Sequence, residues 1–188
     1  PPSTFSKTFA GCFYLFDAIA IEDEDVLFLD PDVLCVGELD FAGFEEWQIL
    51  ALPLDFPESQ LVNGMTLMEA RMLFEKFTTV KADHSQIHYG GEAIFISKKV
   101  IKQISKEISE IWRFNLTAKS SMGPYFTTEE HIISCILRNY KVGSLSQHIL
   151  RIWTTRSFRG VQGGVFNQKK LPLWHLPAEK GDGFLKVW

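Results

Sequence analysis

Two aspartates stand one residue apart in Leu29-Asp30-Pro31-Asp32, directly after the apolar run Val26-Leu27-Phe28-Leu29. Carboxylates that close repel each other and do not both ionise cheaply unless a cation lies between them. Hard oxygen ligands of this kind suit Mn2+ or Mg2+, which take a couple of carboxylates and complete their shell with substrate phosphates. The carboxyl end of a strand is also where open α/β sheets bind ligands. A plain Asp-Pro-Asp turn is the alternative. Far along the chain, His175 follows Leu173-Trp174, and an imidazole can complete a carboxylate metal site. A core or surface histidine is the alternative there. Lys180 lies between the stretch holding His175 and the glycines Gly181 and Gly183. A lysine so flanked can swing onto phosphate as a point charge.

Other polar groups carry less specific signals. Thr127-Thr128-Glu129-Glu130 reads as a Thr-x-x-Glu capping box, with acidic residues favouring the positive end of a helix dipole. Glu92 reads equally well as a solvated residue at a strand entrance. His84 and His88 have a metal-ligand spacing for a helix, but they adjoin Gly90-Gly91 and lack a third ligand, so they read as loop residues. The five tryptophans read as core or rim aromatics, any of which has a face suited to the apolar side of a sugar. Asn115-Leu116-Thr117 matches a glycosylation acceptor sequence, a short pattern common by chance.

These groups need a scaffold, and the hydrophobic pattern supplies one. A helix runs from an N-cap at Ser3 or Thr4 to about Ala20, with Phe9, Phe13, Phe16 and Ile19 on its buried face. Val26–Leu29 and Ala93–Ile96 are short continuous apolar runs, the pattern of strands covered on both faces as in a parallel sheet. Val33–Val36, Trp47–Leu52, Ile149–Trp153 and Leu173–His175 are further strand candidates. Helices are expected over Met65–Phe77, over Lys98–Phe114 with its isoleucine stripe, and from Thr127 onward. Strands alternating with helices imply an α/β fold with a mixed sheet.

Composition bounds the function. The chain has 188 residues, 46% hydrophobic and 22% charged, which is one globular domain spanning 1–188 rather than a disordered tail, collagen-like repeat or disulfide scaffold. A net charge of −4 argues against a nucleic-acid partner, since backbone binding needs a basic surplus. Cys12, Cys35 and Cys135 lack any metal spacing and read as buried thiols. No apolar run is long enough to span a membrane. The opening lacks a signal-peptide pattern, which favours a cytoplasmic location. The chain begins Pro1-Pro2 rather than with Met, as a trimmed piece of a longer protein does.

Taken together, Thr4-Phe5-Ser6-Lys7, a following helix and Val26-Leu27-Phe28-Leu29-Asp30-Pro31-Asp32-Val33-Leu34 resemble the metal-binding core of GT-A-fold glycosyltransferases. Glycogenin and the bacterial α-galactosyltransferases are the nearest members. That family carries an aspartate-any-aspartate motif on such a strand and a late His-x-x-Gly-x-x-Lys-Pro-Trp motif. Here the late segment is His175-Leu176-Pro177-Ala178-Glu179-Lys180-Gly181, matching the histidine and, one position early, the lysine. Tyr89-Gly90-Gly91-Glu92 occupies the place of the family's small-residue turn, where the backbone approaches donor sugar and acceptor. Glu129-Glu130 resembles the family's Asp-Gln pair, and more closely the acidic pair of blood-group-type α-1,3-galactosyltransferases.

The resemblance implies a GT-A-like mixed sheet flanked by helices, a Rossmann-like nucleotide-sugar-binding domain. It implies metal-dependent transfer from a nucleotide diphosphate sugar, a UDP-sugar, to a hydroxyl acceptor such as a glycan, with retention. Asp30, Asp32 and His175 would hold the metal, Lys7 would lie near the donor, and Lys180 with Gly181 would meet the diphosphate. Glu129 would orient the sugar, Glu130 would lie beneath its anomeric carbon, as nucleophile or as stabilising charge, and Glu92 would be an additional catalytic carboxylate. The family places two or three βα units before its metal motif, whereas here 29 residues precede Asp30, so the N-terminal, base-binding portion is expected to be short or missing. A truncated domain that only binds a glycan or a partner chain is the alternative. A metal-dependent phosphatase or nuclease would need further carboxylates near Asp30.

Overall fold

The apolar runs become strands of a layered α/β structure. The computed structural model describes residues 11–78, 88–152 and 171–176. Along the chain these form α1 (Tyr14–Ile21), β1 (Val26–Leu29), β2 (Val33–Cys35), a 3-10 turn (Phe44–Glu46) and β3 (Ile49–Leu54). The hairpin β4 (Leu61–Val62) and β5 (Met65–Thr66) leads into α2 (Leu67–Phe74). Then come β6 (His88–Ile96), α3 (Lys98–Ser120), α4 (Glu129–Leu137), β7 (Val142–Ser144), β8 (Ile149–Arg151) and β9 (Leu173–His175). No helix among the described residues is long and apolar enough to cross a membrane.

The main sheet has the order β1-β6-β3-β7 and a smaller sheet the order β2-β9-β8. In the main sheet β6 pairs antiparallel with β1 and β3, while β7 joins β3 in parallel. Alternation along β3 sends Ile49 and Ala51 toward a core shared with the helices, and Leu50, Leu52 and Leu54 toward a second core under Leu145, Ile149 and Leu173. β6 does the same with Ile94 and Ile96 against Ala93 and Phe95. Strands covered on both faces read as unbroken apolar runs, and β3 and the Ala93–Ile96 part of β6 are covered in that way, although β6 is antiparallel to both its neighbours rather than parallel. β1 is not: it is an end strand, also antiparallel and only half-buried. A four-residue run is too short to tell an inner strand from an edge.

Local chemistry sets the helix starts. The acidic run before β1 serves α3, whose N-cap is Ser97: the Asp25 carboxylate accepts from Ser97 Oγ at 3.0 Å and Lys98 N at 2.7 Å. The expected helix over Met65–Phe77 is shorter, because Met65 and Thr66 belong to β5 and Thr66 caps α2 in a reciprocal box with Glu69. The box expected at Thr127 and Glu130 is absent. Thr128 is the N-cap of α4, with no side-chain cap bond, and Thr127 Oγ1 donates to the Asn63 carbonyl at 2.8 Å instead.

Of the cysteines, Cys135 is buried while Cys12 and Cys35 are exposed, which corrects the expectation of three buried thiols. Asn115 is fully buried, and its amide pairs both ways with the Phe126 backbone at 2.8 Å. It is a structural brace for the segment entering α4, closed to glycosylation in this fold. Trp47 lies under the Lys141 ammonium and Trp112 packs on Phe13 and Phe16, both as rim aromatics. Lys7, His84, Trp153, Lys180, Gly181 and Trp188, with the expected caps Ser3 and Thr4, lie outside the described residues.

Candidate active site

The Asp-Pro-Asp turn is real, and it is what presents the carboxylates. Val33 N donates to Asp30 O at 3.0 Å, closing the turn between β1 and β2. Asp30 N is held by the Glu92 carbonyl at 2.9 Å, and the Asp32 carbonyl accepts from Leu176 N at 3.1 Å. β2 pairs with β9 so that Val33 faces His175. One ligand atom each from Asp30, Asp32 and His175 thereby comes within 4.8 Å of the others. A residue far along the chain is brought to the local aspartate pair by the pairing of β2 with β9.

The donor set fits a hard divalent cation. Burial first, then the neighbouring Asp32 charge, raises the Asp30 pKa to about 6. Burial alone would push the His175 imidazole down, but Asp32 and Glu92 on its two sides outweigh it and raise its pKa to about 9. Asp30, Asp32, Glu92, Glu129 and Glu130 thus crowd a region in which negative charge is costly. A proton on His175 or a divalent ion on its Asp32-facing side would each relieve that crowding.

β6 divides this acidic region in two. Between Ala51 and Leu52 the pairing of β3 jumps from Ile94 to Gly90, so Gly91, Glu92 and Ala93 bulge from the ladder. Bulges re-aim side chains beside functional sites. Glu92 is buried and turns to the small sheet, where its Oε1 lies 2.9 Å from Arg151 Nε and 3.3 Å from His175 Nδ1. Gly91 faces α4. A Cβ there would sit 3.2 Å from Glu130 Cγ and 3.4 Å from Glu129 Oε1, so glycine is what admits the acidic pair.

The two glutamates have opposite environments. Glu130 Oε1 accepts from Gly91 N at 3.1 Å, and its Oε2 accepts from Asn63 Nδ2 at 2.7 Å with His88 Nε2 at 3.5 Å. Burial alone would raise its pKa, but His88 and the Gly91 N–H outweigh that and hold the carboxyl below its usual range. Glu129 is buried with its Oε2 unpaired among the described residues. Burial, then the Glu130 and Asp30 charges, raises its pKa to about 8. These environments favour the charged form at Glu130 and the protonated form at Glu129.

That split predicts a pH dependence. An unfolded Glu129 releases its proton near 4.5 and the folded one near 8, so across that window the native state holds the extra proton. Stability attributable to Glu129 is then lost as pH rises. Glu129→Gln is expected to flatten the fall of melting temperature between about pH 5 and about pH 8. Parallel curves for mutant and wild type would show Glu129 to be ionised throughout.

Three partners in this site were not legible as such in the sequence. His88, read as a loop residue, is buried at the start of β6 and meets Glu130. Asn63 sits with Gly64 in the two-residue turn between β4 and β5, with φ values of 48° and 87°. Asn-Gly is the usual sequence for that turn geometry, so the dipeptide signalled the hairpin but not its grip on α4. Arg151 follows Ile149-Leu150 and precedes Ile152. A lone cation in an apolar strand is itself a signal that a buried anion awaits it.

The structure thus defines an α/β protein with a mixed sheet flanked by helices and an acidic site at the strand ends. No family model and no curated protein matches the chain. Among solved structures it is similar to an active-site mutant of LgtC, at 16% identity and TM-score 0.47 over 90% of this chain and 58% of that one. It is similar also to the galactosyltransferase LgtC in complex with donor and acceptor sugar analogs, at 16% identity and TM-score 0.49 over 92% and 58%. The chain spans 58% of the length of each.

Proposed function

We propose that the chain is a metal-dependent glycosyltransferase moving a sugar from a nucleotide diphosphate donor, a UDP-sugar, to a hydroxyl acceptor with retention. The observation that supports this best is the two-part site: a metal-type cluster of Asp30, Asp32 and His175 on one side of the β6 bulge, and an acid pair on the other. Asp30, Asp32 and His175 are the residues that would hold Mn2+ or Mg2+. When bound, such an ion supplies Lewis-acid neutralisation of the leaving diphosphate.

The protein's own groups do the remaining work. Glu129, protonated, offers a hydrogen bond to a sugar hydroxyl and so orients the donor. Glu130 presents a fixed negative charge toward the anomeric carbon. Two N–H donors already hold its carboxylate and His88 Nε2 lies 3.5 Å away, which weakens it as a nucleophile and favours front-face transfer over a covalent glycosyl intermediate. By the resemblance, Lys7 would lie near the donor, and Lys180 with its neighbour Gly181 would meet the diphosphate. Gly90 and Gly91 bring the backbone close to the sugar.

The test is thermal stability with Mn2+ and UDP, singly and together. A ligand at one hundred times its dissociation constant adds about 2.7 kcal/mol, a rise of roughly 5–10 °C for a domain of this size. The joint addition is expected to give that rise, well beyond either component alone. Absence of a shift with any nucleoside diphosphate would refute this reading in favour of a domain that only binds a glycan or a partner.

A further inference from the structure

Glu92 is the most enclosed carboxylate of the site, its side chain wholly buried. Its Oε1 is shared between Arg151 Nε at 2.9 Å and His175 Nδ1 at 3.3 Å, while His175 Nε2 lies 3.5 Å from Asp32 Oδ1. Arg151 and His175 are register partners of the parallel pair β8 and β9, so both side chains rise on one face of the small sheet. The β6 bulge lowers Glu92 onto that face. Glycine at position 90 is required for this, because a Cβ there would collide with the Glu92 carboxylate.

A carboxylate can only accept, so the nitrogen of His175 that faces Glu92 must carry a proton. Asp32 faces Nε2 as an acceptor in the same way, so the metal-free ring carries a proton on each nitrogen, and Nε2 is the one whose proton an ion lying between it and Asp32 would replace. Histidines that bind metal commonly donate their other N–H to a carboxylate, which fixes the ring and makes the ligand nitrogen more basic. We propose that Glu92 is a positioning residue which locks His175 as an Nε2 metal ligand, with Arg151 holding Glu92 in place. Glu92 is therefore not a reacting group. The inference rests on the metal-site reading above and extends it by assigning the site's buried support.

The experiment is Mn2+ affinity, by calorimetry on the full chain, for wild type, Glu92→Gln, His175→Ala and the double variant. Glu92→Gln is expected to weaken Mn2+ binding by roughly 10–100-fold. In the His175→Ala background the same change is expected to have little further effect, because its action passes through the imidazole. Unchanged affinity in Glu92→Gln would overturn the proposal while leaving the metal site standing. Equal losses in both backgrounds would also overturn it, since Glu92 would then act on the ion independently of His175. A wild-type chain that binds no Mn2+ would overturn the metal-site reading and this inference together.

Should Glu92→Gln fail to fold, wild-type protein labelled with 15N-histidine and loaded with Cd2+, a diamagnetic probe, settles the matter. The expected spectrum has the His175 proton on Nδ1 and the cadmium coupling on Nε2. The reverse assignment, or a His175 signal indifferent to Cd2+, would overturn the proposal.

Discussion

Glu130→Ala is expected to reduce sugar transfer at least about a hundredfold, the scale of losing one electrostatic group aimed at a transition state. It should also destabilise the fold by about 1–3 kcal/mol, because part-buried donors lose their acceptor. Those donors are Gly91 N and Asn63 Nδ2, with His88 beside them. Glu130→Gln separates the two effects. It keeps a carbonyl oxygen for the Gly91 N–H and, as the resemblance to amide-bearing enzymes implies, should retain measurable transfer with retained configuration. Azide added to Glu130→Ala is expected to yield no glycosyl azide. An azide product of inverted configuration would instead make Glu130 a nucleophile and overturn the fixed-charge role. Proton NMR of the product's anomeric signal, beside melting curves of both variants, reads all of these outcomes.

How far these roles were legible from sequence depends on the range of the interaction. Asp30 and Asp32 could be named because a close carboxylate pair suggests a cation, but residue type alone left a plain turn and a core histidine as alternatives, and it was the resemblance that joined His175 to them. The carboxylate of Glu130 could be named as well, but its partner could not. A Thr-x-x-Glu pattern predicts a local cap, whereas Glu130 bonds to Asn63, 67 residues away. The same local pattern at Thr66 and Glu69 does form a box, since there nothing distant competes for the carboxylate. Glu92 looked like a solvated strand residue because nothing in Tyr89-Gly90-Gly91-Glu92 reveals a bulge. Only pairing with two strands of different register creates it. The α/β class was legible from alternating apolar runs and helical stripes, but strand direction was not, and β1 proved antiparallel.

Asp32→Asn carries the other large effect. Asp32 is a buried residue at the centre of the cluster, within reach of His175 and beside Asp30. Its amide replacement removes a charged ligand, so Mn2+ affinity should fall by at least about tenfold, given that even supporting groups are worth 10–100-fold. UDP affinity measured in the presence of Mn2+ should fall with it, because the diphosphate binds partly through the ion. The fold should survive, since removing one of two close carboxylates also relieves their repulsion. Calorimetric titration of Mn2+ and UDP, with a melting curve of the metal-free variant, checks each part. Full Mn2+ affinity in the variant would remove Asp32 from the metal site.

The central claim is that this chain assembles a divalent-metal and nucleotide-diphosphate site from Asp30, Asp32 and His175. Its most direct test is an anomalous difference map from crystals soaked in Mn2+ and UDP. The account predicts a manganese peak bounded by those three side chains, with diphosphate oxygens on its open side and Glu129 and Glu130 beyond the β6 bulge. A nucleotide bound elsewhere, or manganese absent from this cluster at saturating concentration, would contradict it.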